Sequence, residues 1–292
     1  MRKATHSEKL GNAIMMLLIG LFSLACIIPF LLVFSISITD NATLIREGYR
    51  LIPRHFSWSA YEVLLRDPTL MVSSYRVTTI VTVCGTCLSL LVNAMLAYPL
   101  SRKDFRFRNV YAFALFFTML FNGGLVPWYM LCTSIGLKDN YFALIIPGLA
   151  AVYYVFILRN NFQAIPDSFH ESAKIDGASE YRIFFQIILP LSKPAIATIA
   201  LFVTLGYWND WFTGLMLIDK NKIVPLQLRL ITLLNNIEFL SKNSKVNILP
   251  QDYPSQALRM ATCMVVVGPI IFAYPFFQKH IIKGLMIGGV KG

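Results

Sequence analysis

Charge is scarce in this chain, and most other chemistry-bearing residues are scarce with it. Only 14% of its 292 residues are Asp, Glu, Lys or Arg, while 56% are hydrophobic, a composition displaced from the globular average toward proteins solvated by lipid. Acids are rarer than bases, which gives a formal charge of +11. The bases are dispersed between apolar runs, without the Arg/Lys stripe and stacking aromatics of a nucleic-acid-binding surface, so no nucleic-acid partner is expected. The four histidines, His6, His55, His170 and His280, share no spacing, and a metal site needs about four converging ligands. The five cysteines, Cys26, Cys84, Cys87, Cys132 and Cys263, lie in or beside apolar runs, where cysteine behaves as a small hydrophobe. Cys84-Gly-Thr-Cys87 has the spacing of a redox or metal pair, but no second pair or histidine cluster accompanies it, so helix packing is its reading. The chain also lacks a Gly-x-x-x-x-Gly-Lys-Ser/Thr loop to cradle nucleotide phosphates. No cofactor is expected on it, and any ATP hydrolysis must come from a partner.

What the chain has is long apolar runs. A membrane-spanning helix needs about 20 mostly apolar residues, and six stretches qualify: Ala13 to Ile38, Ser73 to Leu100, Val110 to Ser134, Phe142 to Leu158, Pro194 to Ile218 and Ala257 to Phe277. The fold class is therefore all-α, a polytopic membrane bundle of six helices over residues 1–292 as a single transmembrane domain. Pro147 and Gly148 are expected to kink the fourth span, where neighbouring helices can re-satisfy the freed backbone groups. The first run continues past Cys26 for longer than a signal core, which favours a retained helix. Ser23-Leu-Ala-Cys26 departs from a lipoprotein cleavage site at Ser23, where an aliphatic residue is required.

Basic residues in short loops mark the cytoplasmic side. Arg2, Lys3 and Lys9 precede the first run, and Arg102, Lys103, Arg106 and Arg108 crowd the link between the second and third. Both ends of the chain are then cytoplasmic, with a cytoplasmic loop at 159–193 and a tail at 278–292, in the bilayer of a bacterial inner membrane. Residues 39–72 and 219–256 fall outside, longer than hairpin links require, and loops of that length often carry function.

The loop at 159–193 is too polar to span a bilayer and too patterned to be slack. Ser168 and Glu171 have capping-box spacing, each side chain able to bond the other's backbone amide. Gly177 can turn left-handed and close the helix. A second helix starts near Ser179 and must end by Pro190, whose ring cannot continue it. Small residues (Ser172, Ala173, Gly177, Ala178), apolar ones (Phe169, Ile175, Tyr181, Phe184, Phe185) and charged ones (Glu171, Asp176, Glu180, Arg182) together suit docking of a soluble protein. The other reading of the same residues is an amphipathic helix on the inner leaflet, although interfacial helices usually carry Lys/Arg-rich polar faces. The residues alone leave both open.

Polar groups inside spans are functional candidates by default. Asp210, in Tyr207-Trp-Asn-Asp-Trp211, lies roughly 24 Å along a helix begun at Pro194. Tyr207, Trp208, Asn209 and Asp210 form one candidate set for a substrate path, since binding sites mix apolar walls with a few placed polar groups. An aromatic belt at the interface explains Trp211 as well. Asn122 and Gly123 in the third run, and Asn93 in the second, are further candidates, with helix-to-helix hydrogen bonding an equal account of a lone Asn.

Glu171-Ser172-Ala173, three residues, Gly177, nine residues, Ile187, one residue, Leu189-Pro190 resembles the EAA loop in membrane subunits of bacterial ATP-binding-cassette importers, with Ser172 in place of the usual alanine. Phe121-Asn-Gly-Gly-Leu-Val-Pro-Trp-Tyr129, Gly136-Leu-Lys-Asp-Asn140, Gly206-Tyr-Trp-Asn-Asp-Trp211 and Lys283-Gly-Leu-Met-Ile-Gly-Gly-Val-Lys-Gly292 extend the likeness across nearly the whole chain. They are similar to carbohydrate-importer permeases, the six-helix partner of the maltose-type pair. Within that group the chain resembles the branch for polysaccharide fragments, including alginate and pectic oligosaccharides. The resemblance implies a second homologous permease subunit, two ATPase subunits carrying ATP and Mg, and an extracytoplasmic solute-binding protein. Glu171, Ser172, Ala173, Asp176, Gly177, Leu189 and Pro190 would couple to the ATPase, and the chain itself would be a transport subunit, not an enzyme. A membrane scaffold or receptor whose helix pair docks a non-ATPase partner is the rival reading.

Overall fold

The computed structural model describes residues 6–242 and 255–288. Among them every regular element is helical, apart from an isolated bridge between Thr39 and Phe56. The chain packs as two compact units, Met1–Pro68 with Leu233–Gly268, and Thr69–Thr232 with Pro269–Gly292.

In the first unit α1 (His6–Ser37) is apolar on every face, and none of its most apolar 18-residue window is buried. After it the chain is ordered rather than slack. Asp40 caps α2 (Asn41–Glu47) by accepting from the Thr43 amide at 3.2 Å, and Glu47 pairs with Arg50 at 3.4 Å and Arg54 at 3.2 Å. The short helix α3 (Ser59–Leu64) follows, its Tyr61 hydroxyl 2.9 Å from the Ser37 hydroxyl.

In the second unit α4 (Pro68–Ser101) runs unbroken along the expected second span. Its buried face is lined with small and hydroxylated residues, Ser74, Thr78, Thr82, Gly85, Ser89 and Asn93, which let neighbouring backbones approach closely. The next three spans are each broken. α5 (Arg108–Leu120) meets α6 (Leu125–Ser134) at 115°. α7 (Tyr141–Ile145) runs through a 3₁₀ turn at Ile146–Gly148 and meets α8 (Val152–Gln163) at 52°. After α9 (Asp167–Ile175) comes α10 (Glu180–Ile183), which passes through a π turn at Phe184–Ile188 into α11 (Leu189–Leu191) and then bends 81° into α12 (Lys193–Asn209).

The kink at Pro147 and Gly148 is present as expected. The break at Phe121–Gly124 is not the continuous span expected from Val110 to Ser134. Gly124 has φ 90°, a conformation only glycine adopts freely, and the Asn122 side chain takes its amide at 2.8 Å in place of a helical carbonyl. The fifth run is likewise interrupted: Asp210 is extended, and its carboxylate caps α13 (Phe212–Leu217) through the Thr213 amide at 3.0 Å. Apolar composition does not encode such breaks.

Beyond α13, the long segment expected outside holds α14 (Leu226–Lys242), whose first amide donates to the Thr78 hydroxyl of α4 at 2.8 Å. The last element, α15 (Ser255–Gly288), carries the apolar stretch Gln256–Ile271 and continues through the residues expected to form a tail from 278. Residues 289–292 of that tail lie outside the described residues. All six apolar runs thus fall on helices, two of which are long and apolar enough to cross a membrane unbroken, or up to five if each bent pair counts as one span.

Candidate functional site

The α9–α10 pair is closed by a Schellman turn. Gly177, with φ 74°, donates its amide to the Lys174 carbonyl at 3.0 Å, and the Ala178 amide reaches the Ala173 carbonyl at 2.9 Å. The left-handed residue expected at Gly177 is therefore what makes the elbow. The capping box is not formed: α9 begins at Asp167, one residue before Ser168, with Pro166 at the cap position and no side-chain cap bond. Proline fixes its own φ and suits a helix entrance, which shifts the start and places Ser168 inside the first turn. α10 is capped, the Ser179 hydroxyl accepting from the Arg182 amide at 3.4 Å. Pro190 does not stop the second helix, which runs on to Leu191. The π turn before it closes with the Leu189 amide on the Phe184 carbonyl, and this wider ring relieves the clash a proline makes with the preceding turn.

Burial sorts the expected docking residues. Glu171, Ser172, Asp176 and Gly177 are exposed, beside the exposed apolar side chains of Phe169, Ile175 and Tyr181. Ala173 is buried in the core of the unit, as are Ile183, Phe184 and Ile188. Leu189 is half-buried and packs against that core, while Pro190 is exposed.

A polar cluster joins the pair to the C-terminal end of α4. His170 is 3% exposed. Its Nδ1 lies 3.0 Å from Arg102 Nη2, and its Nε2 lies 3.2 Å from both oxygens of Glu180. A guanidinium only donates, so Nδ1 accepts and Nε2 carries the proton that goes to Glu180. Tyr98 donates to Glu180 Oε2 at 2.6 Å, and Lys174 Nζ is 3.1 Å from Oε1. Lys103 reaches Asp167 at 2.9 Å, with Arg102 3.7 Å from the same carboxylate and 3.3 Å from Asp104. Burial alone would raise the Glu180 carboxyl, but the hydrogen bonds from Tyr98, His170 and Lys174 outweigh it and hold the group at about 2. Hydrogen bonding to Lys103 likewise holds Asp167 below the usual carboxylate range. Sequence reasoning missed this cluster because Tyr98 and Glu180 are 82 positions apart and no periodicity links them.

The path candidates separate. Asn93 is fully buried and satisfied by its own chain: its amide donates to the Ser89 and Leu149 carbonyls at 2.6 and 2.9 Å, and its carbonyl accepts from the Ala151 amide at 3.0 Å. It clamps the break between α7 and α8 and, fully buried, presents no exposed group. Tyr207 is a packing residue too. Its hydroxyl donates to the Ile145 carbonyl at 2.9 Å, and its ring lies against Gly85 and Gly148. Trp208 is buried, and Asn209 accepts from Gln227 at 2.9 Å. Tyr207 and Asp210, with Tyr154 and Phe202, line a cavity of about 290 Å³. Asn122 and Gly123 are exposed at the α5–α6 break and do not line it.

The Gly136-to-Asn140 motif also acquires a structural role. Asp139, at φ 55°, accepts the Asp219 and Lys220 amides at 2.7 and 2.9 Å, and Asn140 caps α7 through the Ala143 amide at 2.9 Å. These bonds tie the α6–α7 link to the chain leaving α13.

Residues 5–287 match the family of binding-protein-dependent transport system inner membrane components. The chain belongs to this family. This inner-membrane component is therefore a multi-pass membrane protein and a transport subunit of a binding-protein-dependent system. It is 38% identical over 292 residues, 98% of each chain, to Protein LplC of Bacillus subtilis (strain 168). It is also 38% identical over 276 residues, 93% of this chain and 95% of the relative, to the polygalacturonan/rhamnogalacturonan transport system permease protein YtcP of the same organism. Among solved structures, a chain from a bacterial ABC transporter involved in import of the acidic polysaccharide alginate is similar at TM-score 0.79 and 31% identity, covering 96% of this chain and 99% of that one.

Proposed function

We propose that this transport subunit is one permease half of an ATP-driven importer for oligosaccharides, including acidic ones of the pectic or alginate kind, working by alternating access. It pairs with a second homologous permease and receives substrate from an extracytoplasmic binding protein. Two ATPase subunits holding ATP and Mg drive it, and this chain performs no hydrolysis. Six crossings place both termini and the α9–α10 pair in the cytoplasm.

The observation that carries the reading is the exposed face of α9: Glu171, Ser172 and Asp176 ahead of the left-handed Gly177, in a helix whose opposite face is fixed to the protein. An element so held presents a preformed ridge to a partner at little ordering cost. Relatives named for polygalacturonan/rhamnogalacturonan and arabinooligosaccharides, and the alginate-transporter neighbour, support the substrate class. The Asp210 cavity is the part of the path this chain contributes, its carboxylate and the Tyr154 and Phe202 rings facing the passing sugar.

Co-purification tests the drive. ATPase subunits are expected to accompany the wild-type chain and to be lost from Glu171→Lys and Gly177→Pro; retention in both variants would leave a scaffold or receptor role as the better account. Binding of oligogalacturonate, alginate oligomers and neutral arabinooligosaccharides to the cognate binding protein tests the substrate, and a response to neutral sugars alone would remove the acidic class.

A further inference from the structure

The α9–α10 pair connects to the spans in two physically different ways. Toward α12 the link is the chain itself: the π turn at Phe184–Ile188, then the 81° bend around Ser192, whose buried hydroxyl has no hydrogen-bond partner. Toward α4 the link is the cluster of short polar bonds, Tyr98 to Glu180 at 2.6 Å, Arg102 to His170 at 3.0 Å and His170 to Glu180 at 3.2 Å, braced by Lys103 to Asp167 at 2.9 Å. Apolar packing joins the pair and α4 too: the Tyr98 ring lies 5.2 Å from that of Phe184 at the π turn, and Ala173 and Ile183 share a core with Ala97 and Leu100. A cleft of about 480 Å³ opens beside that contact, lined by Met95, Tyr98, Pro99, Glu180, Tyr181 and Phe184, so the bonds of Glu180 and His170 are the directional part of the link between the pair and α4. Satisfied hydrogen-bond networks in a partly dry site are stiff because each bond orients and polarises the next.

We propose that Glu180 and His170 are positioning residues that lock the helix pair to the C-terminal end of α4, making α4 the span moved directly when the ATPase closes. The proposal rests on α9 being the ATPase-docking element. Glu180 touches both sides of the lock, accepting from α4 through Tyr98 and from α9 through His170 and Lys174. The π turn and the unpaired Ser192 hinge let α12 follow by bending.

The test uses the complete transporter in lipid nanodiscs, with ATPase subunits whose catalytic carboxylate is removed so that ATP holds them closed. Spin labels are placed at the exposed Leu88 of α4 and Lys193 of α12, and native exposed cysteines are replaced by serine. ATP is expected to shift the label-to-label distance in the wild-type background. In Glu180→Ala the shift is expected to be lost while the ATPase subunits still co-purify. In Glu180→Gln, whose amide oxygen still accepts from Tyr98 and His170, it is expected to return. A full shift in Glu180→Ala, no shift in the wild-type background, or failure of Glu180→Gln to restore it overturns the proposal. Loss of ATPase subunits from Glu180→Ala does so as well, because the residue would then serve docking. Glu171→Lys and Gly177→Pro are run in parallel: retention of the ATPase subunits in both would remove the docking reading itself, whatever Glu180 does.

Discussion

Tyr207 fills the space that Gly85 leaves empty. A Cβ on Gly85 would lie 2.7 Å from Tyr207 Cζ, and the same ring comes 3.2 Å from a Cβ placed on Gly148, while the Tyr207 hydroxyl is held by the Ile145 carbonyl at 2.9 Å. One aromatic ring therefore pins α12 against α4 and the α7–α8 break, its hydroxyl held by the fold while the ring borders the Asp210 cavity.

Gly85→Ala is expected to destabilise the transporter by about 1–3 kcal/mol, the cost of overpacking a filled site. Tyr207→Phe, which keeps the ring and loses one buried hydrogen bond, is expected to cost about 1 kcal/mol. Thermal unfolding of the purified complex measures both. Transport per folded complex is expected to be unchanged in Tyr207→Phe; a selective loss of transport there would return Tyr207 to the path.

Asn93→Leu orphans the Ala151 amide and the Leu149 carbonyl at a helix break where no other described group replaces them. A loss of about 2–4 kcal/mol is expected for two buried unpaired groups. An unfolding temperature equal to wild type would show that the clamp is dispensable.

Ser192→Ala is expected to be harmless. Replacing a serine at a helix N-cap usually costs about 0.5–2 kcal/mol, but Ser192 makes no cap bond and its buried hydroxyl has no partner. The change in stability is expected to stay within about 0.5 kcal/mol, or to favour the variant. A drop above about 1 kcal/mol would reveal a bond formed by that hydroxyl.

Glu180 gives the helix pair an acid limit. Its carboxyl sits at about 2 in the folded chain against an ordinary 4.5, so the folded state binds the proton less well than the unfolded one. The stabilisation is fully present above about pH 4.5 and lost as pH falls toward 2. Tyr98 of α4, Arg102 and Asp104 just beyond it, and His170 and Lys174 of α9 all face the group. Its side chain is 47% exposed, so solvent screening keeps the effect modest. Limited proteolysis at Gly177–Ser179 across that range is expected to rise on acidification in wild type and to be flatter in Glu180→Gln. Equal profiles would mean that Glu180 does not set the limit.

Much of the architecture could be read from residue order. Lipid demands long apolar helices because unpaired backbone is too costly there, and every run expected to span is largely helical, the third, fourth and fifth with a break. Gly177 announced its elbow because a left-handed residue is chemically particular, and Pro147 and Gly148 announced their kink for a similar reason. Less legible were the breaks at Asn122 and Asp210, where a short polar side chain takes a backbone amide that a helix would otherwise use. Whether such a residue bonds its own chain or faces a path depends on what lies opposite it.

By itself, then, the sequence determined the solvent of this protein, its helical class and the elbow at Gly177, all of which follow from local periodicity, local turn chemistry and the cost of exposed backbone in lipid. Only the tertiary structure decided which polar groups are already spent. Asn93 and Tyr207 closed on their own backbone, Ala173 turned inward, and Tyr98, Arg102, His170 and Glu180 met at the end of α4. Hydrogen bonds between residues 56 to 82 positions apart are set by how the helices pack, and nothing in the order of residues along one helix records them.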